Sequence, residues 1–214
     1  MKINTSKTKT AVFNVATSKD CYPRMENTEG NIYENVEQFT LLGVEIESHP
    51  RSGVKWDKYI SKCVKKAYSN MWILKRLAEM GVSTEDLCMT YEMRIKKHLE
   101  INVPLYHFSI SQKLSKMIEK IQKACMFIIL GKHASLDYFC NLAILDLEPL
   151  SDRRDKLCTN LAKKVIKHHE HRKMFTWNEG RKTREGRKVI VPYARTSRYA
   201  RSTIPSLANI INSL

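Results

Sequence analysis

Four lysines on one predicted helix are the side chains best suited to bind a ligand. They are Lys58, Lys62, Lys65 and Lys66. Ile60, Val64 and Ala67 recur at three- and four-residue steps and predict the buried face of this helix, and the lysines lie away from that face. At 1.5 Å per residue the lysine stripe is about 10 Å long. Such a row of ammonium groups can follow a phosphate backbone, and a solvated lysine face is the alternative.

A second set of cationic side chains lies near the end of the chain. Its members are Arg181, Lys182, Arg184, Arg187, Lys188, Arg195, Arg198 and Arg201. Tyr193 and Tyr199 lie between the last of them. Arginines with interleaved aromatic rings are suited to single-stranded nucleic acid, through backbone contacts and base stacking. A basic tail that binds any anionic surface is the alternative.

The sequence lacks the motifs of nucleotide and metal chemistry. Neither GxGxxG nor GxxxxGK-S/T occurs, and no two aspartates are adjacent. The paired carboxylates that would hold two metal ions for nucleotidyl transfer are therefore not evident. His168, His169 and His171 follow Cys158, but their spacing fits no common zinc module. We therefore interpret the histidines as the solvated end of a basic helix, and expect no metal site and no cofactor in this chain.

The charge of the chain favours a polyanionic partner. Its 214 residues include 37 Lys and Arg against 22 Asp and Glu, which gives a formal net charge of +15. Residues 1–50 carry a net charge of −2 and residues 51–214 carry +17. A balance of this kind is typical of proteins that bind nucleic acid or an acidic membrane surface.

The cysteines and the hydropathy pattern indicate an intracellular protein. The six cysteines are Cys21, Cys63, Cys88, Cys125, Cys140 and Cys158. They are scattered without a CxxC pair, and we interpret them as small buried hydrophobic residues in a reducing compartment, not as disulfides. No apolar run is long enough to span a membrane, and the first residues lack the apolar core of a signal peptide. We expect the nucleus or the cytoplasm.

The elements that carry these side chains fall into three predicted segments. Residues 1–55 contain a short strand at 11–13, a strand or hairpin over 36–46 in which Gly43 supplies a bulge or a close backbone approach, and a loop at 49–53. Residues 56–173 are helical, and residues 174–214 form a basic tail that is extended or partly disordered. The predicted fold is mainly α (α+β), with a short β-hairpin, a helical bundle and a tail.

Capping and breaking residues set the predicted helix ends. Capping residues at Ser83, Ser111 and Ser135 begin three helices, the first as a capping box with Asp86, and a further helix follows Pro149. The predicted ends fall at Gly81, Pro104 and Gly131, with the short helix after Ser135 running through Leu142.

Four stretches of the chain carry further motifs. Residues 4–9 read NTSKTK, with Lys7 in the middle, and are followed by Val12 and Phe13. Residues 39–44 read FTLLGV.

The third and fourth stretches lie in the helical segment. Trp56 and Ile60 form a W-x-x-x-I pattern, with Ala67 following. Residues 99–106 read LEINVPLY, and residues 118–124 read IEKIQKA. Further matches lie downstream at Leu150, Arg153, Arg154, Arg195, Thr196, Arg198 and Pro205.

Taken in order, these motifs resemble the C-terminal part of the reverse transcriptase of a non-LTR retrotransposon of the jockey-like group. The first stretch resembles the N-x-x-K-T-K segment at the end of the palm, and the second resembles the F/Y-x-x-L-G-V primer-grip hairpin. The third resembles the opening of the thumb, and the fourth resembles the L-E-Y-x-x-P-x-W run with its L-E-x-x-Q-x-x-A continuation. The resemblance covers essentially the whole chain. Two features depart from it: Tyr106 stands where the family often has Trp, and the loop at 48–53 is longer than usual.

The resemblance implies that catalysis and nucleic-acid binding belong to different segments of the polymerase. The catalytic aspartates and their Mg²⁺ ions would belong to a palm upstream of Met1, with Lys7 as the acid that protonates the pyrophosphate leaving group. Phe39, Leu42 and Gly43 would hold the primer end. The helix from Trp56 would be the thumb helix, whose lysines contact phosphates without reading sequence.

The first hypothesis is therefore a truncated reverse transcriptase fragment that retains the nucleic-acid-binding thumb and is no enzyme by itself. Its expected partners are RNA, DNA or RNA–DNA hybrid, bound without sequence specificity, and the missing palm. An independent basic helical RNA- or DNA-binding module is the alternative. A third hypothesis is a membrane-surface protein, which we disfavour because the basic helices lack clustered Trp and Phe.

Overall fold

The computed structural model describes residues 8–13, 25–26, 30, 32–49, 53–178 and 188–214. In these ranges the chain forms ten α-helices and five short β-strands, so the predicted mainly α (α+β) fold is confirmed. The chain divides into two compact units, Met1–Ser61 and Lys62–Leu214. The second unit includes the described part of the predicted tail.

The first unit begins with a short parallel strand pair. Strand β1 (Lys9–Thr10) pairs with β2 (Glu34–Asn35). The strand that we predicted at residues 11–13 is therefore wrong by two residues. The carbonyl oxygen of Val12 accepts a hydrogen bond from the Ser48 hydroxyl at 2.7 Å, so a side chain takes the place of a strand partner.

The rest of the first unit is a three-stranded antiparallel sheet. Its strands are β3 (Gln38–Leu41), β4 (Val44–His49) and β5 (Gly53–Lys55). The predicted hairpin is confirmed as β3–β4, but Gly43 forms no bulge. Leu42 and Gly43 have φ of 48° and 84°, and two successive positive φ values define the type I′ turn that suits the twist of a hairpin. His49 pairs with Gly53, so the strands extend to both ends of the predicted loop.

Helix α1 (Asp57–Glu79) follows the sheet and buries a continuous apolar stripe. The buried members of the stripe are Ile60, Cys63, Val64, Ala67 and Leu74. Asp57 lies in the first turn, where a negative charge is favourable. The predicted end near Gly81 is confirmed, since α1 ends at Glu79 and Gly81 has a left-handed φ of 77°.

The next helical segment contains an unpredicted π-helix. Helix α2 (Thr84–Thr90) continues through the π-helical residues Tyr91–Lys96 into α3 (Lys97–Glu100). The predicted cap is confirmed, because the Ser83 Oγ accepts a hydrogen bond from the Asp86 backbone N–H at 3.2 Å.

The predicted end of this segment at Pro104 is wrong. The segment ends at Glu100, and Asn102 takes a left-handed φ of 57°. Pro104 lies in the first turn of α4 (Val103–Tyr106). In this turn the absent N–H of proline leaves no hydrogen bond unmade.

The third predicted helix is confirmed at both ends. Helix α5 (Gln112–Leu130) begins after Ser111, whose hydroxyl accepts from the Leu114 backbone N–H at 3.3 Å. It ends at Gly131, where a short 3₁₀ turn (Gly131–His133) follows.

Ser135 does not cap the next helix as predicted. Helix α6 (Tyr138–Ile144) is capped by Asp137, which accepts from the Cys140 backbone N–H at 2.9 Å. The Ser135 hydroxyl instead accepts a hydrogen bond at 3.1 Å from the backbone N–H of Asp137, the capping residue itself.

Helix α7 (Leu150–Lys167) follows Pro149 as predicted, and α8 (His169–Arg172) follows it. Helix α7 is the centre of the second unit, where it packs against α4, α5 and the last helix of the chain. Two adjacent arginines of α7 make cross-helix contacts. Arg153 donates two hydrogen bonds to Glu100, and the buried Arg154 donates to the Ser115 hydroxyl at 2.7 Å.

The predicted extended tail is wrong for the part that the structure describes. Helices α9 (Ser197–Ala200) and α10 (Thr203–Ser213) lie within it. Its buried side chains form one core cluster with α7, and these side chains are Phe175, Val189, Leu207, Ala208 and Ile211. The Asn212 side chain of α10 holds the backbone of Val189. It accepts a hydrogen bond from the Val189 N–H and donates one to the Val189 carbonyl oxygen, each at 2.9 Å.

In the described ranges, every helix is too short or too polar to cross a membrane.

Candidate nucleic-acid interface

The excess of positive charge lies in one of the two units of the chain. Residues 1–61 contain eight Lys and Arg and eight Asp and Glu, a net charge of zero. Residues 62–214 contain 29 Lys and Arg against 14 Asp and Glu, a net charge of +15. A net electrostatic attraction to a polyanion is therefore expected from the second unit.

Helix α1 presents a long cationic face within this unit. The face consists of Lys62, Lys65, Ser69, Trp72 and Arg76, spaced at three and four residues and opposite the buried stripe. It extends about 21 Å at 1.5 Å per residue, about twice the length that we predicted for the lysine stripe. No acidic residue occurs in the sequence between Asp57 and Glu79. We call this set of five residues the α1 cationic face.

The four predicted lysines do not act as one group. Lys62 and Lys65 belong to the α1 cationic face, with Lys65 exposed and Lys62 partly exposed. Lys58 lies in the first unit, where its Nζ donates to Gln38 Oε1 at 2.5 Å and lies 3.6 Å from Glu47 Oε1. Its charge is thus partly neutralised by the sheet.

Lys66 lies to the side of the α1 cationic face and contributes to a second cationic group. Burial lowers the pKa of His98, and the ammonium groups of Lys97 and Lys66 lower it further. The charges of Lys66 on α1 and Lys97 on α3 therefore both act on the His98 ring. A phosphate bound there would favour the charged imidazolium.

The hairpin places the three predicted primer-grip residues differently. Phe39 is half-buried, and its ring packs edge-on against Phe13 with centroids 6.0 Å apart. Leu42 is 96% exposed at the tip of the turn, beside Gly43. A cavity of about 530 Å³ lies at the base of the hairpin and is lined by Phe13, Phe39 and Val36.

Helix α5 carries a lysine stripe that our prediction missed. Lys113, Lys116, Lys120 and Lys123 are all exposed and recur at three- and four-residue steps. The one acidic residue of α5, Glu119, is directed away from them, since it accepts a hydrogen bond from the Tyr138 hydroxyl at 2.9 Å. The same periodicity that revealed the α1 stripe could have found this one.

The described part of the tail places its predicted arginines around α9. Arg195 and Arg201 are exposed on either side of α9, and the backbone of Arg198 lies within α9. Helix α9 packs against α10. Five predicted residues lie outside the described residues, and these are Lys7, Arg181, Lys182, Arg184 and Arg187.

The histidine cluster does not meet Cys158. Cys158 is fully buried on α7, whereas His168, His169 and His171 are exposed. Within the described ranges, no three His, Cys, Asp or Glu side chains are grouped as metal ligands.

None of the five described cysteines forms a disulfide. Cys63, Cys125 and Cys158 are buried as predicted, and burial raises the pKa of Cys125 and of Cys158 to about 12. Cys140 is exposed, so the prediction of burial is wrong there. Cys21 lies outside the described residues.

The membrane-surface hypothesis is affected by two features of α1. Tyr68 and Trp72 are exposed and four residues apart on this basic helix, but α1 contains one Trp and no Phe, so clustered Trp and Phe are not found on it. In addition, an interfacial helix inserts its apolar face into lipid. The apolar face of α1 is buried in the protein and is not free to do so.

Comparison with known proteins identifies no relative: no protein family, curated protein or solved structure matches this chain.

Proposed function

We propose that this chain binds nucleic acid without sequence specificity, in the manner of the primer-grip and thumb region of a non-LTR retrotransposon reverse transcriptase. The observation that carries the proposal is the α1 cationic face. It is a row of five side chains, three of them cationic, that extends about 21 Å along the helix, with no acidic residue in the sequence between Asp57 and Glu79. The favoured ligand is an RNA–DNA hybrid or another duplex, whose phosphates lie at regular intervals along the helix axis.

Electrostatics explains why the partner is a polyanion. Each phosphate that a lysine or arginine neutralises releases condensed counterions, and the gain grows with the number of phosphates contacted. The α1 cationic face contains three such side chains, of which Arg76 also pairs with Glu79, and Lys66 and Lys97 add two more whose charges act on His98. Because these contacts go to the backbone, they position a duplex and carry no base specificity.

The residues that carry the family resemblance contact one another, which supports the proposal. Glu100 pairs with Arg153, and Glu119 lies 3.4 Å from Arg154. The Tyr106 hydroxyl donates to the Leu99 carbonyl oxygen at 2.8 Å. Motifs that are far apart in the sequence therefore belong to one set of helix contacts, as expected if the resemblance reflects a shared fold.

The hairpin tip also supports a binding role. Leucine is a poor choice for a left-handed turn position, because its side chain crowds the backbone when φ is positive. At 96% exposure Leu42 also gains no burial. A strained, exposed apolar side chain of this kind is typical of a contact site, and the resemblance assigns this hairpin to the primer end.

In this proposal the chain holds the nucleic acid and a palm performs the chemistry. Such a palm would supply the aspartates and Mg²⁺, and Lys7 would act only in its presence. The test uses the purified chain with a primed RNA template, deoxynucleotides and Mg²⁺. We expect binding of the primed template with no extension of the primer. Extension by this chain alone would overturn the proposal that a separate palm performs the chemistry.

The alternative is an independent basic helical module. It is favoured by the core of the second unit, which includes Leu207 and Ile211 from the end of the chain. An independent module should unfold in one cooperative transition and remain monomeric. A fragment that requires a palm should instead expose apolar surface near Phe13 and Phe39, and should self-associate.

A further inference from the structure

Two aromatic side chains lie next to each other on the exposed side of α1. Tyr68 is 55% exposed and Trp72 is 63% exposed. They are four residues apart, which places their Cα atoms about 6 Å apart along the helix axis. Neither ring packs against another aromatic ring of the described residues.

The other two tryptophans are protected by the fold. Trp56 is 8% exposed. Trp177 is partly buried beneath the Arg172 guanidinium, whose Cζ lies 4.1 Å from the ring centroid, and its Nε1 donates to the Arg172 carbonyl oxygen at 2.8 Å. Trp72 lies beside Arg76, whose Cζ is 5.8 Å from the ring centroid. An exposed aromatic ring contributes little to folding and, when it lies among cationic side chains, is accessible to a ligand.

Positive charge surrounds the aromatic pair. Lys65 precedes Tyr68 by three residues, and Lys75 and Arg76 follow Trp72 by three and four residues. The nearest acidic residue along the helix is Glu79, which pairs with Arg76 at 3.0 Å. This pattern of aromatic rings between cations is complementary to nucleic acid and less suited to an apolar protein surface.

Base pairing decides which form of nucleic acid can use the rings. In a duplex the base faces are already stacked and only phosphates reach a protein helix. In a single strand each base has a free face that can stack on an aromatic ring, whatever its sequence. Tyr68 and Trp72 therefore add binding energy only where the strand is unpaired.

We propose that the C-terminal half of α1 is a single-strand binding platform, in which Tyr68 and Trp72 stack on two neighbouring bases and Lys65, Lys75 and Arg76 contact the flanking phosphates. This inference rests on the proposed function, because the same helix binds duplex phosphates through Lys62 and Lys65. It adds a distinct ligand class, an unpaired strand of RNA or DNA. Such a strand adjoins every duplex with an overhang.

The test compares two ligands of equal length, a 12-nucleotide oligo(dT) and a blunt 12-base-pair RNA–DNA hybrid, by fluorescence anisotropy at fixed salt. The variants are Trp72→Ala, Tyr68→Ala and the conservative Trp72→Phe. The matched control is Phe139→Ala, which removes an exposed aromatic ring on α6. Circular dichroism and thermal unfolding establish that each variant is folded.

We expect Trp72→Ala and Tyr68→Ala each to weaken oligo(dT) binding about tenfold and to weaken hybrid binding by a clearly smaller factor. Trp72→Phe should retain most of the affinity, and Phe139→Ala should change neither ligand. Equal losses on both ligands, or no loss on oligo(dT), would overturn the platform while leaving the proposed function in place. Failure of the unaltered chain to bind either ligand would overturn both proposals.

Two further outcomes would assign the rings to another partner. Trp72-dependent binding to phosphatidylserine vesicles, without an effect on oligo(dT), would identify a membrane contact. A change in sedimentation from an oligomer to a monomer in Trp72→Ala, again without an effect on oligo(dT), would identify a contact between copies of the chain. Either result contradicts the single-strand platform.

Discussion

Arg153 of α7 and Glu100 of α3 form a two-pronged ion pair across the helical unit. The Arg153 Nε donates to Glu100 Oε1 at 2.8 Å, and its Nη2 donates to Glu100 Oε2 at 3.0 Å. Both side chains are at least two-thirds buried. The planar guanidinium matches the two carboxylate oxygens, a geometry that an ammonium group cannot reproduce. The pair therefore fixes where α3 lies against α7.

We predict that Arg153→Lys destabilises the protein although the charge is kept. One of the two hydrogen bonds is lost, so the free energy of unfolding should fall by about 1 kcal/mol. Urea denaturation followed by circular dichroism measures the change. Arg76→Lys is the matched control, because Arg76 pairs with Glu79 at the surface and should lose less than about 0.5 kcal/mol. Equal losses in both variants would show that the two-pronged geometry contributes nothing.

The end of the chain should be essential for the stability of the helical unit. Ile211 is fully buried against the α7 cluster. Ile211→Ala should lower the free energy of unfolding by about 3 kcal/mol, because it removes buried methyl groups and leaves a cavity. Ile204→Ala is the control, since Ile204 is exposed on the same helix. A loss below about 1 kcal/mol for Ile211→Ala would mean that the residues after 188 form a dispensable tail.

Leu42→Asn should separate folding from binding. Asparagine before Gly43 matches the favoured Asn-Gly sequence of a type I′ turn, so the variant should be more stable by about 0.5–1 kcal/mol. If the tip contacts a primer end, binding to a primed template should weaken several-fold. Thermal unfolding and anisotropy on the same preparations measure the two effects. Gains in both stability and affinity would contradict a contact at the tip.

The pH dependence of binding should report on His98. The pKa of His98 is lowered by burial and by Lys97 and Lys66. In the free protein, the stability contributed by the neutral ring is therefore complete above the unfolded pKa of about 6.5 and is lost as the pH falls below it.

A bound phosphate should reverse this preference by favouring the imidazolium. Binding should then take up a proton, and affinity for the hybrid should rise about threefold or more between pH 8 and pH 6. Titrations at constant ionic strength measure the change. His98→Gln should flatten the profile, and an unchanged profile in this variant would exclude phosphate contact near Lys66 and Lys97.

Elements whose signals are local could be predicted from the sequence. The helix caps at Ser83 and Ser111 depend on the side chain of one residue and an N–H three residues later, so the sequence contains all the information. The apolar period of α1 was sufficient to place its buried face. The same period predicted the exposed lysines of this helix.

Features that depend on distant partners were missed. A strand at 11–13 would use the Val12 carbonyl oxygen to pair with a neighbouring strand. This oxygen instead accepts a hydrogen bond from the Ser48 hydroxyl, 36 residues away. Val189 is buried because α10 packs against it and Asn212 donates a hydrogen bond to its carbonyl oxygen. The sequence around Val189 is rich in arginine and gives no sign of this burial. Trp72 was also missed, although its signal is local, since the apolar period of α1 places it opposite the buried face.

The most direct test of the account is the salt dependence of hybrid binding, measured for three proteins. The first is the unaltered chain, and the second carries Lys62→Gln, Lys65→Gln and Arg76→Gln. The third is a charge-matched control with three exposed lysines of α7 replaced, Lys163→Gln, Lys164→Gln and Lys167→Gln. All three are titrated with the same hybrid between 50 and 300 mM salt, and the logarithm of the association constant is plotted against the logarithm of the salt concentration.

If the α1 cationic face binds the phosphates, its variant should lose about two to three units of slope. The charge-matched control should keep the slope of the unaltered chain. Equal slopes for the two variants, or no binding by the unaltered chain at 50 mM salt, would contradict the claim that this face is the nucleic-acid interface.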